Sequence, residues 1–397
     1  MHSHAVSSNP IASNTVPSNT AAWFVRCRPG LEVGPIPYTP PRSSELVVRT
    51  QAVAVNPVDW LIPFIGRFAY PWLKSPAVLG FDVAGEVVEV GPEVTRFQVG
   101  DRVLALAVGT EKSRNTPAEG AFQQYAVVLE RLTCPLPGHL TYEQGAVLPL
   151  GLSTAACGLF QKDQLALRHP SATPVPTGQT LLIWGGSTSV GNNAVQLAVA
   201  AGYEVITTAS QLNFGHVRAL GVSQVFDYRS ETVVRDLIAA LQGKTLAGAL
   251  SLASGSAGAC MDVLRACKGR KFLSLASTPV SFEPLVQRPR SPLLLPRLMG
   301  RMLGATALLQ LKARRAGIQT KSIWGGSLMN DEVGPLIFEA FLPAALVERR
   351  YLAAPEPDVI GHGLGAIQQG LEVQRRGVSA RKVVISKIAD ELESRVF

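Results

Sequence analysis

The stretch LLIWGGSTSVGNNAVQLAVAAGYEVITTAS, Leu181–Ser210, decides the fold. An apolar run closing at Trp184 meets a glycine pair, three hydroxyl residues and a further glycine. An apolar run with helical character then ends at Gly202, and a β-branched run, EVITTAS, follows. The pattern predicts strand, turn, helix, strand, with the helix starting near Val190. The turn does not spell G-x-G-x-x-G; Gly185, Gly186 and Gly191 instead frame Ser187, Thr188 and Ser189. At such a helix start, unpaired N–H groups and the macrodipole favour an incoming phosphate. Gly185 allows the tight turn, and Gly191 lets the helix pack close to the strand. Three hydroxyls can donate to a pyrophosphate where a fuller glycine loop would use backbone alone. A glycine turn on its own is equally a plain strand–helix connection. Its place between two strands about 20 residues apart tips the reading toward a dinucleotide site.

Working outward, the alternation continues from about 180 to 275. SQVFDYRS, GALSLAS and RKFLSLAS read as further strands, with helices such as VVRDLIAALQG between them. Strands alternating with helices imply a doubly wound parallel sheet. Residues 21 to about 150 have a different texture, with the short β-like runs ELVVRTQAVAV, VAGEVVEVG, DRVLALAV and FQQYAVVL between Pro and Gly signals. These predict a compact β barrel. The chain closes on a helix, HGLGAIQQGLEVQRRG, and a strand, ARKVVIS. No internal repeat is visible.

The end of the second strand of the opening stretch bears on the nucleotide. An acid there would bind ribose hydroxyls and repel a 2′-phosphate. TTAS instead ends in Ser210 and is followed by Asn213, His216 and Arg218, and the next strand ends with Tyr228 and Arg229. Neutral donors and cations suit a phosphate, so the reading favours NADPH over NADH. Ser210 and Asn213 equally suit capping of the next helix, and the two roles are compatible.

Composition sets the limits. The chain has 397 residues, 47% hydrophobic and 17% charged, enough for two domain-sized cores. A net charge of +8 permits attraction to phosphates, but the cations are spread along the chain rather than gathered in a nucleic-acid stripe. No run approaches the roughly 20 apolar residues of a spanning helix. Residues 1–20, rich in Ser and Asn, read as a disordered tail without a secretory core. Five cysteines without a C-x-x-C pair argue against a disulfide framework and a structural zinc site, and point to a reducing, cytoplasmic setting.

The stretches AVAVNPVDW, VLGFDVAGEVVEVGPEVTRFQVGDRV, EGAFQQYAVV and GVSARKVVIS, together with the nucleotide turn, resemble the medium-chain dehydrogenase/reductase family. The similarity runs from Ala21 to Ile388 and is strongest to the fungal zinc-free branch, which includes quinone oxidoreductase-like proteins and trans-acting enoyl reductases. The resemblance implies an α/β fold with a GroES-like catalytic domain, residues 21–155 plus 345–397. A Rossmann NADPH-binding domain, 156–344, is then inserted, with a basic insertion at 281–320. It also implies that the cofactor lies between the two domains, along Asn56, Asp59, Leu61, Thr154, Gly186, Ser187, Thr188, Ser189, Val190, Gly191, Leu252, Leu275, Ala276 and Val383. Ser210, Asn213 and Tyr228 map onto the 2′-phosphate site.

Alcohol-dehydrogenase relatives place an early Cys and a G-H-E motif on zinc. Here those positions read Asn56 and Gly80-Phe81-Asp82, and a phenyl ring cannot ligate a metal. His139 and His362 read as ordinary surface or loop residues, so the expectation is no metal. Without a Lewis acid to polarise a carbonyl, an activated C=C bond is the easier hydride acceptor. No catalytic residue is evident, although Tyr70 and Thr154 are available as proton donors. Asn56 and Asp59 can also be structural, closing a turn around Pro57. Leu61 departs from the branch, many of whose members carry Lys there. The 281–320 stretch holds seven cations between Arg288 and Arg315 and no acid in that span. It reads either as a solvated excursion, or as a lid or dock for an acidic carrier or membrane surface. Two functions follow. One is reduction of an activated alkene, free or carrier-bound, in secondary metabolism, by a monomer or homodimer. The other is cofactor binding without turnover.

Overall fold

The computed structural model describes residues 17–389, apart from 27, 29 and 288–292. Most of the expected tail, Cys27, Arg288 and Arg290 therefore lie outside the described residues. The tail expected at 1–20 gives way to structure by Asn19, where a strand begins. The Asn19 amide is buried and donates to Gln123 Oε1 (3.1 Å) and Tyr125 O (3.0 Å), a tether that polar composition does not announce.

The first half supplies β1 (Asn19–Phe24), β2 (Leu31–Ile36), β3 (Glu45–Ala54), β4 (Ala77–Val78), β5 (Asp82–Val90), β6 (Arg102–Leu106), β7 (Tyr125–Leu129) and β8 (Thr133–Pro135). The parallel alternation that follows supplies β9 (Gln179–Trp184), β10 (Glu204–Ala209), β11 (Gln224–Asp227), β12 (Thr245–Ser251), β13 (Lys268–Gly269), β14 (Phe272–Leu275) and β15 (Gln319–Ser322). The chain then returns through β16 (Glu356–His362) and β17 (Arg381–Ser386). Strands β9–β15 form one parallel sheet, with β11-β10-β9-β12-β14-β15 side by side and β13 beside β12. A mixed sheet has the order β16-β17-β3-β5-β6-β8, with β7 also on β3. Because β17 pairs with β3, Val384 opposite Ala54, the last strand closes onto one of the earliest, and the parallel sheet is an insertion between them. The expected architecture, GroES-like plus Rossmann, is present.

The helix Pro149–Phe160 joins the halves. It is apolar on every side, and nearly all of it is buried, as expected of a helix covered all round. The interior is continuous through it, running from Val53, Val83 and Leu104 of the mixed sheet to Leu181, Ile183 and Val205 of the parallel one. The boundary expected at 155/156 falls inside this helix, and that at 344/345 inside the helix Leu342–Val347.

The long helix Leu294–Arg315 bridges the halves elsewhere. Its first turns, through Leu298 and Met299, pack with Phe282 and Leu285 against Ile65 of the helix Pro57–Ala69. Its last turns, through Leu309 and Ala313, pack on the parallel-sheet side with Met261 and Val263. Among the described residues no helix is long and apolar enough to cross a membrane. The described cysteines, Cys134, Cys157, Cys260 and Cys267, are buried free thiols.

The glycine turn shows how tightly the helix meets the strand. A Cβ on Gly191 would lie 2.1 Å from Gly185 O, a backbone atom with little freedom to move. Gly191→Ala should cost about 2 kcal/mol by overpacking, read as a lower denaturant midpoint. An unchanged midpoint would contradict this packing.

Candidate active-site cleft

β9 ends at Trp184 and the helix Ser189–Ala200 begins five residues later, one residue before the expected start. Gly185 takes φ +102°, the left-handed region that glycine adopts without strain. Thr208 of β10 fixes the turn, its hydroxyl accepting from Gly185 N and its carbonyl from Gly186 N. Thr188 caps the helix, accepting from Gly191 N at 3.0 Å. The cap uses one of the orphan N–H groups of the first turn and leaves those of Ser189 and Val190 without an intrahelical acceptor. Ser189 Oγ is buried and has no hydrogen-bond partner. A helix start with two first-turn N–H groups left over by its cap, beside an orphaned hydroxyl, fits an anion such as a pyrophosphate.

The turn opens onto a cavity of about 400 Å³ between the two sheets. Ser187, Thr188, Ser189 and Val190 line one side, with Leu252 and Ala276 at the carboxyl ends of β12 and β14. Asn56, Thr154 and Val383 line the rest. Nine of the expected site residues thus share one cleft. Gly186 and Gly191 stand behind the wall as packing contacts.

The structure places the others elsewhere. Asp59 is buried behind Asn56. The two make a capping box at the start of the helix Pro57–Ala69, so the expected turn around Pro57 is a helix N-terminus with Pro57 in its first turn. Leu61 packs in the apolar cluster with Ile65 and Phe282, away from the cleft wall. Leu275 lines a neighbouring cavity. Ser210 and Asn213 precede short helices, yet neither side chain makes a capping bond. Asn213 instead donates to Ser379 Oγ at 3.0 Å. Tyr228 is 44% exposed and carries the Arg229 guanidinium over its ring at 5.4 Å.

Sequence reasoning missed the buried charges of the cleft. Lys382, within β17, lines the cavity yet is only 4% exposed. Its ammonium meets Asp82 Oδ2 at 3.0 Å and donates to Asn56 Oδ1. Asn56 in turn donates to Asp82 Oδ2 (2.7 Å), and Leu150 N donates to Asp82 Oδ1 (2.6 Å). The signal available was the charged residue inside an apolar strand, RKVVIS. Asn56 and Asp82, two of the positions compared with metal-ligating relatives, are thereby joined through an ammonium. Among the described residues no three His, Cys, Asp or Glu side chains gather as a metal site.

Beyond Thr154 lies a second group that was not foreseen. A Cβ on Gly325 would sit 2.7 Å from Thr154 Oγ1, and one on Gly326 would sit 1.9 Å from Glu111 Oε1. The Trp324 indole N–H is shared between the two Glu111 oxygens at 2.9 and 3.1 Å. Tyr70 stacks on Trp324 and Trp72, with ring centroids 5.2 and 5.7 Å away. Burial raises the Glu111 carboxyl above its usual range, the Trp324 donor opposing it. Burial, and then the Glu111 charge, raise the Tyr70 hydroxyl as well, which makes it a weaker acid.

Burial pushes Asp59 up to about 7, the Asn56 N–H at 2.8 Å working against it. Between its ordinary value and about pH 7, the folded chain therefore holds a proton that the unfolded chain has released. Stability should fall as pH rises through that window. Asp59→Asn should flatten the decline between pH 5 and 7 in denaturant titrations. An undiminished slope would assign the decline to other groups.

Residues 42–138 match the family model for the alcohol dehydrogenase GroES-like domain. The chain is similar to dehydrogenase pigH of Monascus ruber, 50% identical over 94% of this chain and 100% of that protein. It is also similar to trans-enoyl reductase himH of Aspergillus japonicus, 36% identical over 92% of this chain and 97% of that protein. Among solved structures, an alcohol dehydrogenase superfamily protein from Novosphingobium aromaticivorans superposes with a TM-score of 0.69. It is 25% identical, over 93% of this chain and 99% of that one.

Proposed function

We propose that this chain, which belongs to the medium-chain dehydrogenase/reductase family, is an NADPH-dependent, metal-independent reductase of activated C=C bonds, with an enoyl thioester, enone or quinone as acceptor. The carrying observation is the cleft, which sets the open helix start at Ser187–Val190 across from Asn56 and the buried Lys382. The likeness to a protein named trans-enoyl reductase supports the choice of acceptor.

The family's nicotinamide cofactor supplies hydride when bound. The chain's residues do the rest. The N–H groups of Ser189 and Val190 and the Ser189 hydroxyl hold the pyrophosphate. Ser210, Asn213 and Tyr228, with Arg229 stacked on it, offer donors and a cation to a 2′-phosphate. Neither Ser210 nor Asn213 is spent on a helix cap, and the Asn213 amide, which donates to Ser379 Oγ, would exchange that partner for a phosphate oxygen. Lys382, already bound to Asp82 and Asn56, brings a fixed positive charge to the cleft, where it opposes negative charge developing on an acceptor oxygen. Thr154 lines the cleft with its hydroxyl beside Gly325, whereas Tyr70 is buried with a raised hydroxyl. Thr154, alone or through water, is therefore the better placed proton source. Phe81, 4% exposed among apolar side chains, stands where zinc-dependent relatives carry a histidine. Activity is accordingly expected to survive chelation. A cytoplasmic monomer or homodimer acting on a small or carrier-bound acyl substrate completes the reading.

Titration with both cofactors tests the nucleotide. NADPH should bind well ahead of NADH, and Ser210→Ala with Asn213→Ala should weaken NADPH alone, by about 1 kcal/mol or more per lost bond. Equal binding of NADH would contradict the assignment. Elemental analysis of the purified chain should find no stoichiometric zinc. One bound zinc per chain, with activity lost to a chelator, would overturn metal independence.

A further inference from the structure

A second cavity, of about 240 Å³, lies under the helix Leu294–Arg315. Thr306, Leu309 and Gln310 of that helix form its roof, and Leu275 and Pro279 one flank. Gly255, Ala257 and Gly258 form the other, residues too small to fill the space. Beside Gly255 and Gly258 there is room: an added Cβ would meet nothing within 4 Å at Gly255, and only the end of Lys312, at 3.9 Å, at Gly258.

This cavity adjoins the cleft. Leu275 faces the second cavity and its neighbour Ala276 the cleft. The partition is two loops joined at their base by Ala276 N donating to Ser251 O at 3.0 Å and further out by Ser277 Oγ donating to Ala253 O at 3.0 Å. Both loops follow carboxyl ends of parallel strands, the edge where ligands bind in open α/β sheets. Gln310 of the roof donates to Thr320 Oγ1 of β15 at 2.9 Å, and ion pairs lie before the helix and near its far end. Arg375 of the helix Ile367–Arg376 pairs with Glu283 just before it, and Lys312 pairs with Asp262 at 3.0 Å near its far end. Its outer face is open to solvent, with Leu303 66% and Leu308 69% exposed. A helix of 22 residues spans about 33 Å, enough to reach from one half of the chain to the other.

We infer that this cavity takes the apolar chain of the substrate beyond the reacting double bond, so that the helix Leu294–Arg315 sets chain-length preference and the preferred substrate is a long-chain acyl thioester. The inference rests on the alkene-reductase reading and extends it. Leu275 and Leu309 supply the apolar contact, and the glycines on the floor leave the width a methylene chain needs.

Two substitutions fill the cavity from opposite sides, Thr306→Trp from the roof and Gly258→Leu from the floor. Leu308→Trp, on the same helix but not lining this cavity, is the control. In each filled variant KM for a dodecenoyl-pantetheine thioester should rise about tenfold or more, the scale on which lost methylene contacts discriminate. KM for crotonyl-pantetheine and the affinity for NADPH should stay within about twofold. Calorimetry with the saturated dodecanoyl thioester, which needs no turnover, should show the same weakening. Long- and short-chain thioesters responding alike, or neither responding, would overturn the inference, as would an equal effect from Leu308→Trp. If the parent protein reduces no enoyl thioester of either length, the proposed reaction fails. The calorimetric arm then decides the cavity alone: loss of dodecanoyl binding in the filled variants sustains it, and undiminished binding refutes it.

Discussion

The contact between Lys382 and Asp82 holds the cleft together. Taking both charges out of water costs several kcal/mol each, and such a pair persists only where further hydrogen bonds complete it. Here they do. Asp82 accepts from Asn56, from the Leu150 N–H and from Lys382, and Asn56 accepts from the same ammonium. Four elements converge on one carboxylate: β17, β5, the start of the helix Pro57–Ala69 and the start of the helix Pro149–Phe160. Removing either charge would leave the other buried and alone. The closure of the last strand onto the first half, the position of the helix joining the halves, and the shape of the cleft are thus one structural fact.

That arrangement bears on the chemistry. A hydride acceptor needs an electrophilic environment, which related enzymes can obtain from a metal. In this chain the positions compared with metal ligands form part of a proton-bearing cation site, while the apolar Phe81 ring lies among buried side chains. The charge of Lys382 is fixed by its partners before any ligand arrives, and fixed charge is what stabilises a developing anion without reorganisation. On the opposite wall the glycine turn supplies dipoles and donors of the same electrical sense. The two walls thus differ in kind, a helix start with unused N–H donors on one and an ammonium held against Asp82 on the other.

What could be read from the amino acids alone was what is local. The turn at Gly185–Gly191 follows from glycine geometry and a helix start, and it lies within one residue of expectation. The longer strands of both sheets were visible as short apolar runs, because burial on one or both faces writes itself into neighbouring residues, whereas β8, β13 and β16 were not read. Lys382 was not legible as a site residue. A charge in a strand ordinarily faces solvent, and its burial depends on Asn56, 326 positions away. The Trp324–Glu111 contact, 213 positions apart, was hidden for the same reason. Leu61 was assigned to the cofactor through similarity to relatives, and the structure packs it with Phe282 and Leu285, more than 200 positions away, beneath the bridging helix. Nothing local in the basic 281–320 stretch indicates that the helix within it rests its two ends on different halves of the chain.

The most direct test of the account follows the hydride itself. NADPH deuterated at the nicotinamide C4 position, on either face in turn, is incubated with an enoyl thioester, and the product is examined by mass spectrometry and NMR. The account predicts that one of the two labelled cofactors delivers a single deuterium to the β-carbon of the saturated thioester. The α-carbon should take its hydrogen from solvent. Consumption of neither labelled cofactor, or deuterium appearing at a carbinol carbon instead, would contradict the assignment of this cleft to alkene reduction.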